Sequence, residues 1–242
     1  MDTKQIQWTD LVNKALTVEG SLGNTYNRFY NYSYGNQILL LWQGVAEPVA
    51  TYKKWQELGR QVKKGSKAKA ILQPVIKEDE TGETEVHGFY MRNCLFGLSE
   101  TTGDELKLPD VEQWNKAKAL KKLNIKEIPF KKIDGNVQGY ANKKGIAINP
   151  TAVNPMKTLL HEIAHKVLGH TDNQELHRGI KEFQAECTAY LLMVELQLNT
   201  WQELSSCRAY IQGWLEGQKP SDQEIKQVFV AVDKILKAGR GE

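Results

Sequence analysis

Cysteine is scarce. Cys94, Cys187 and Cys207 are an odd number at wide spacings. They form neither a CxxC pair nor a disulfide framework. That excludes a disulfide-stapled secreted scaffold and points to a reducing cytoplasm. Long apolar runs are missing as well. Ile38 to Trp42 is the longest obvious one, far short of the ~18–20 residues that span a bilayer. The opening Met1-Asp2-Thr3-Lys4-Gln5 lacks the apolar segment of a secretory signal. There is no internal repeat and no low-complexity tract. A strong charge excess is also lacking, since the net charge of +3 alone says little about partners. At 242 residues the chain makes one large domain or two modest ones, and it can bury a core.

The charge that is present is unevenly placed. Between Ala50 and Lys77 lie Lys53, Lys54, Arg60, Lys63, Lys64, Lys67, Lys69 and Lys77, opposed only by Glu57. A second basic stretch runs from Lys116 to Lys132, and after His170 the two signs balance. Any positive patch therefore belongs to the N-terminal half.

Periodicity predicts helices over 3–18, 36–43 and 51–58, the last stopping at Gly59. Ala68–Ile76 and Val86–Leu98 read as a hairpin around the polar turn 78–82. An amphipathic helix is expected over 111–123. Short strands follow at 127–133, 138–141 and 146–148, with a turn at Asn142-Lys143-Lys144-Gly145. From Pro155 onward the pattern is helical. The fold class is α+β, with a boundary near 105–125. We draw it as 1–110 and 111–242.

The sharpest signal is His161-Glu162-Ile163-Ala164-His165, between Pro155 at a helix start and Gly169 at its stop. Residues four apart on a helix differ by only about 40° in direction. His161 and His165 therefore project side by side and can place two imidazole nitrogens on one zinc ion. Glu162, beside the first ligand, is placed to act as a general base on a water. Zinc needs a third protein ligand. The metzincin pattern would require glycine at 168 and histidine at 171, but the chain has Leu168 and Thr171. His170 projects about 180° from His161 on a continued helix, which makes it a helix-end residue at the negative dipole end and not a ligand. The helix 180–196 supplies better candidates. Glu182 and Glu186 share one face of it, and carboxylates there are costly without a cation. Glu182 is assigned as third ligand and Glu186 as the acceptor of a ligating histidine's outer N–H. The reverse assignment and a solvated glutamate pair are the alternatives.

Residues 140–192 resemble a gluzincin-type zincin domain of the ImmA/IrrE-like peptidases. More closely, they resemble the C-terminal domain of the ArdC antirestriction family. The resemblance implies that the strand before the active-site helix, 146–148, pairs with an extended peptide substrate. Upstream, Tyr34-Gly35-Asn36-Gln37-Ile38-Leu39-Leu40, Ala50-Thr51-Tyr52-Lys53-Lys54-Trp55 and Leu58 to Ala68 are similar to the ArdC N-terminal domain. That similarity implies a helix-plus-antiparallel-sheet domain that binds single-stranded DNA.

The residues fit such a role, since single strands are held by cationic grooves and aromatic faces. The candidates are Lys53, Lys54, Arg60, Lys63, Lys64 and Lys67, with Tyr52 and Trp55 as stacking platforms, a core position being the alternative for Trp55. Tyr26, Tyr30, Tyr32 and Tyr34 are further platforms, and Trp42 is assigned to the core. The reading is a cytoplasmic mobile-element protein with a single-stranded-DNA-binding domain and a zinc peptidase site. Two alternatives stand beside it: a non-catalytic DNA-binding inhibitor of restriction with a structural or vestigial zinc domain, and a repressor-cleaving regulator.

Overall fold

A computed structural model describes residues 7–17, 32–78, 84–106, 112–131, 136–172, 175–198, 211, 213 and 220–241. Tyr26 and Tyr30 lie outside these. The chain forms two compact units. One comprises Met1–Ile6 and Leu22–Val111, the other Gln7–Ser21 and Glu112–Glu242. The first helix, which sequence position placed in the N-terminal domain, thus belongs to the second unit.

The first unit is an α+β arrangement. Helix α2 (Tyr34–Trp42) precedes strand β1 (Val49–Thr51), α3 (Tyr52–Glu57) and β2 (Arg60–Val62). The long hairpin β3 (Lys69–Glu78) and β4 (Thr84–Gly97) follows, then β5 (Thr101–Gly103). The sheet order is β1-β4-β3, all antiparallel, and β2 pairs separately with β5. Leu40, Val45, Val49, Ile71 and Leu95 form a buried cluster beneath α2, each contributing roughly 1.5–3 kcal/mol on burial. Strand β3 lies at the sheet edge, and α2 clips it with two amides. Asn36 donates to the Leu72 carbonyl and accepts from its N–H. Gln43, two turns further, does the same at Ala70. These contacts satisfy an edge that would otherwise offer unpaired backbone groups.

In the second unit, α1 (Trp8–Thr17), α4 (Lys116–Lys122), the hairpin β6 (Gly139–Asn142) and β7 (Gly145–Ile148), α5 (Pro155–Val167), α6 (Arg178–Glu195) and α7 (Asp222–Arg240) pack together. Trp8 of α1 packs on Phe229 of α7, the two rings tilted with centroids 5.7 Å apart. Tyr190 of α6 donates its hydroxyl to the Leu16 carbonyl. The helix expected over 111–123 starts only at Lys116. Its cap is Asn115, whose side chain accepts from the Lys118 N–H. Trp114 is drawn instead onto α7, donating to the Ile235 carbonyl over Gly239.

Of the strand expected at 127–133, the described residues 127–131 form one parallel bridge, Glu127 to Ile146; the remainder lies outside the described residues. The bridge is held by the Ile146 N–H to the Lys126 carbonyl and the Ile128 N–H to the Ile146 carbonyl. This bridge is tight. Gly145 sits at φ +157°, and a Cβ there would lie 2.1 Å from the Lys126 carbonyl oxygen. At Ile146 strand β7 is therefore covered on both sides. Among the described residues the open edge is that of β6, which corrects the assignment of 146–148 as a substrate-pairing strand.

Candidate metal centre and nucleic-acid surface

Helix α5 is positioned by its sequence. Asn154 caps it by accepting from the Lys157 N–H, and Pro155 occupies the first turn. Leu159, Leu160, Ile163 and Ala164 bury the opposite faces. His161 and His165 are left toward α6, where Glu182 and Glu186 stand one turn apart.

Three side chains converge there. One donor atom from each of His161, His165 and Glu182 lies within 4.8 Å of the others. The two Nε2 atoms are 3.1 Å apart. Glu182 Oε2 is 3.5 Å from His161 Nε2 and 3.8 Å from His165 Nε2. A tetrahedral ion with bonds near 2.0–2.1 Å would space its ligands by about 3.3 Å. Two imidazoles and a carboxylate at these separations fit a divalent cation.

Glu186 does not join the cluster. Its Oε2 faces His161 Nδ1 at 3.2 Å and its Oε1 faces Lys157 Nζ at 2.6 Å. It orients His161 from behind, and geometry separates the two glutamates. Glu162 is buried beside His161 and lines a cleft of about 470 Å³ with Gly139, Val153, Thr158 and Lys157.

Electrostatics follow from this packing. Burial opposes the charged form of His161, but hydrogen bonds to Glu182 and Glu186 outweigh it and raise the imidazole to about 9. Burial and the charge of His161 lower His165 to about 4. Burial also works against an ionised Glu186, yet bonds to His161 and Lys157 hold it at about 2. The hydrogen bond with His161 is the main reason that Glu182 lies below the usual carboxylate range.

His170 stays outside the converging group, as expected, but its expected direction is corrected. Helix α5 does not continue to it. Gly169 turns the chain at φ +72°, and the His170 N–H returns to the His165 carbonyl. This is the Schellman stop, and it swings the imidazole back over the site. His170 is buried, with its Nδ1 at 2.9 Å from His165 Nδ1 and its Nε2 at 2.9 Å from Gln184 Oε1. A helical projection carried past Gly169 misplaced it. Gln184, the polar residue between buried Phe183 and Ala185, was the signal available in the sequence.

Residues 5–123 match the family model for the N-terminal domain of the anti-restriction factor ArdC. The chain is an ArdC-like protein. Two crystal structures of the antirestriction ArdC protein from the R388 plasmid share its fold. The Mn(II)-bound form has a TM-score of 0.59 at 18% identity, covering 97% of this chain and 98% of that one. The metal-free form has a TM-score of 0.53 at 19% identity, covering 96% and 94%. An uncharacterized Bacillus anthracis protein, pXO2-81, is 24% identical over 86% of this chain. The ArdC-like chain spans only 45% of that relative's length. No helix among the described residues is long and apolar enough to cross a membrane.

In the ArdC-like N-terminal unit the proposed DNA contacts divide. Lys53, Lys63, Lys64 and Lys67 are exposed, as is Tyr52 at 44%. Lys63 also donates to the Ser99 carbonyl. Lys54 pairs with Glu57 at 3.1 Å. Arg60 is engaged by β5, donating to Thr101 Oγ1 and the Gly103 carbonyl, so its guanidinium is a structural tie. Trp55 cannot stack on a base. It is fully buried and its indole donates to the Phe96 carbonyl. Tyr34 is buried likewise. Trp42, assigned to the core, is instead 45% exposed at the end of α2.

Proposed function

We propose that this chain is a mobile-element antirestriction protein. Its first unit binds single-stranded DNA, and its second carries a zinc-dependent metallopeptidase site. The convergence of His161, His165 and Glu182 beside buried Glu162, at the head of a cleft, carries the peptidase reading. The Mn(II)-bound form of the R388 protein supports metal binding on this fold. A zinc ion held by these three residues would polarise a carbonyl and acidify a water.

The remaining steps belong to the chain. Strand β6 offers a backbone edge along the cleft, where an extended peptide can pair. Glu162 takes the proton from the attacking water and returns it to the leaving amine. Glu186 holds His161 through Nδ1, which keeps its Nε2 aimed into the cluster. For DNA, the exposed lysines between Lys53 and Lys67 supply phosphate contacts, and Tyr52 with Trp42 supplies stacking faces.

The test compares wild type with Glu162→Gln on a peptide library, alongside zinc content. The expected result is retained zinc and no cleavage in the variant. A wild type that binds single-stranded DNA and zinc but cleaves nothing would make the zinc unit structural and the protein a DNA-binding inhibitor. A Glu162→Gln protein that cleaves at the wild-type rate would remove Glu162 from the chemistry.

A further inference from the structure

The two candidate metal-binding imidazoles are backed differently. His161 has a carboxylate behind it. His165 has a second imidazole, His170, and behind that the amide of Gln184, which is fully buried.

The far end of this chain fixes the near end. Gln184 Nε2 lies 2.9 Å from the Glu224 carbonyl and 2.8 Å from Gln227 Oε1. A carbonyl only accepts, so the amide nitrogen must face α7. Gln184 therefore presents its oxygen to His170 Nε2. An amide oxygen also only accepts, so the neutral imidazole of His170 carries its one proton on Nε2. Its Nδ1 is then a lone pair, 2.9 Å from His165 Nδ1. Two lone pairs cannot face each other there. His165 must carry its proton on Nδ1 and leave Nε2 bare, toward His161 and Glu182.

We infer that His170 and Gln184 are positioning residues that fix His165 as its Nδ1–H tautomer. They thereby present an unprotonated Nε2 to the divalent cation that the cluster is read to hold. The value of the inference for metal binding rests on that reading; the tautomer itself does not. The Schellman turn at Gly169 builds the device, because it brings His170 over His165 within five residues.

The experiment uses the full chain with 15N-labelled histidine. Long-range proton–nitrogen correlation spectra in the presence of a chelator assign the protonated nitrogen of His165. Wild type is expected to show a single Nδ1–H form. His170→Leu and Gln184→Leu should move His165 toward the Nε2–H form and weaken Zn²⁺ binding roughly 10- to 100-fold, the range for removing a group that orients a metal ligand. His170→Asn, whose Oδ1 replaces the accepting Nδ1, should restore both. A wild-type His165 that is Nε2–H or mixed would overturn the inference, and so would variants that keep the Nδ1–H form. Should His170→Leu not fold, the wild-type spectrum and Gln184→Leu still decide. A wild type with the Nδ1–H form that binds no zinc leaves the relay standing and removes the metal reading.

Discussion

Glu186→Gln probes the site from behind. In the wild type, Glu186 is moved from 4.5 to about 2. That corresponds to about 3 kcal/mol at about 1.36 kcal/mol per pH unit. His161, moved from 6.5 to about 9 by Glu182 as well as Glu186, shares its Glu186 contact with that figure, so the contact is counted once. The signs are opposite. The raised His161 value gives stability that is complete below pH 6.5 and lost as pH rises through about 9. The depressed Glu186 value gives stability present above pH 4.5 and lost as pH falls through about 2. Between 4.5 and 6.5 the pair acts in full. Replacing the carboxylate should therefore cost about 3 kcal/mol at pH 5.5. The cost should be smaller at pH 9.5, where the variant forfeits only the ion pair with Lys157. Zinc should still bind with one ion per chain, about 10- to 100-fold more weakly. Glu182→Ala, which deletes a donor atom, should abolish binding. Denaturant unfolding of the site-bearing unit with chelator at both pH values, plus zinc content, reads all of this. A Glu186→Gln protein as stable as wild type at pH 5.5 would refute the argument. Complete zinc loss in that variant with zinc retained in Glu182→Ala would exchange the two glutamates.

Three further outcomes are expected. Gly139→Ala would place a Cβ 2.6 Å from Thr158 Cγ2 and 3.2 Å from Glu162 Cγ. It should cost about 1–3 kcal/mol by thermal melt; an unchanged melting temperature would mean that β6 does not press on α5. Gly239→Ala would put a Cβ 2.0 Å from Trp114 Nε1. It should destabilise by a similar amount, and less in a Trp114→Ala background, where a double-mutant cycle must show coupling. Replacing Lys63, Lys64 and Lys67 together by Ala should reduce the salt slope of single-strand binding by about 0.7 for each phosphate that is no longer neutralised, measured by fluorescence anisotropy. Trp42→Ala should weaken binding at constant slope.

Much of this molecule is legible in the sequence because local rules dictate it. The hairpin of β3 and β4, the stop at Gly59, and the Pro155 start and Gly169 end of α5 follow from turns, end signals and periodicity. The pairing of His161 with His165 follows from the helical repeat, and the side-by-side glutamates of α6 from the same repeat. What was not legible depends on non-local packing. Residues 127–133 have strand-like composition, yet the described ones among them form only a bridge to Ile146. Trp42 and Trp55 both sit on short helices. Only the tertiary structure decides that Trp55 reaches the Phe96 carbonyl while Trp42 stays at the surface. The assignment of α1 to the second unit depends on Phe229 and Tyr190, more than 170 residues away.

Neutral amides, which a search for charge passes over, tie elements together in each unit. A buried amide is costly unless its donor and acceptor are both used, so each one ties two elements together. Asn36 and Gln43 hold α2 to the edge of β3 in this way. Asn149, also buried, donates to the Val137 carbonyl and accepts from the Thr151 N–H and hydroxyl. That anchors the wall of the cleft beside Gly139. Gln184 joins His170 to α7. A carboxylate in its place could accept from His170 but could not donate to the Glu224 carbonyl, and a leucine could do neither. The chemistry assigned to two histidines and two glutamates therefore depends on amides whose donors and acceptors are matched by backbone groups from other elements. That matching is a property of the folded chain, invisible at the level of the motif.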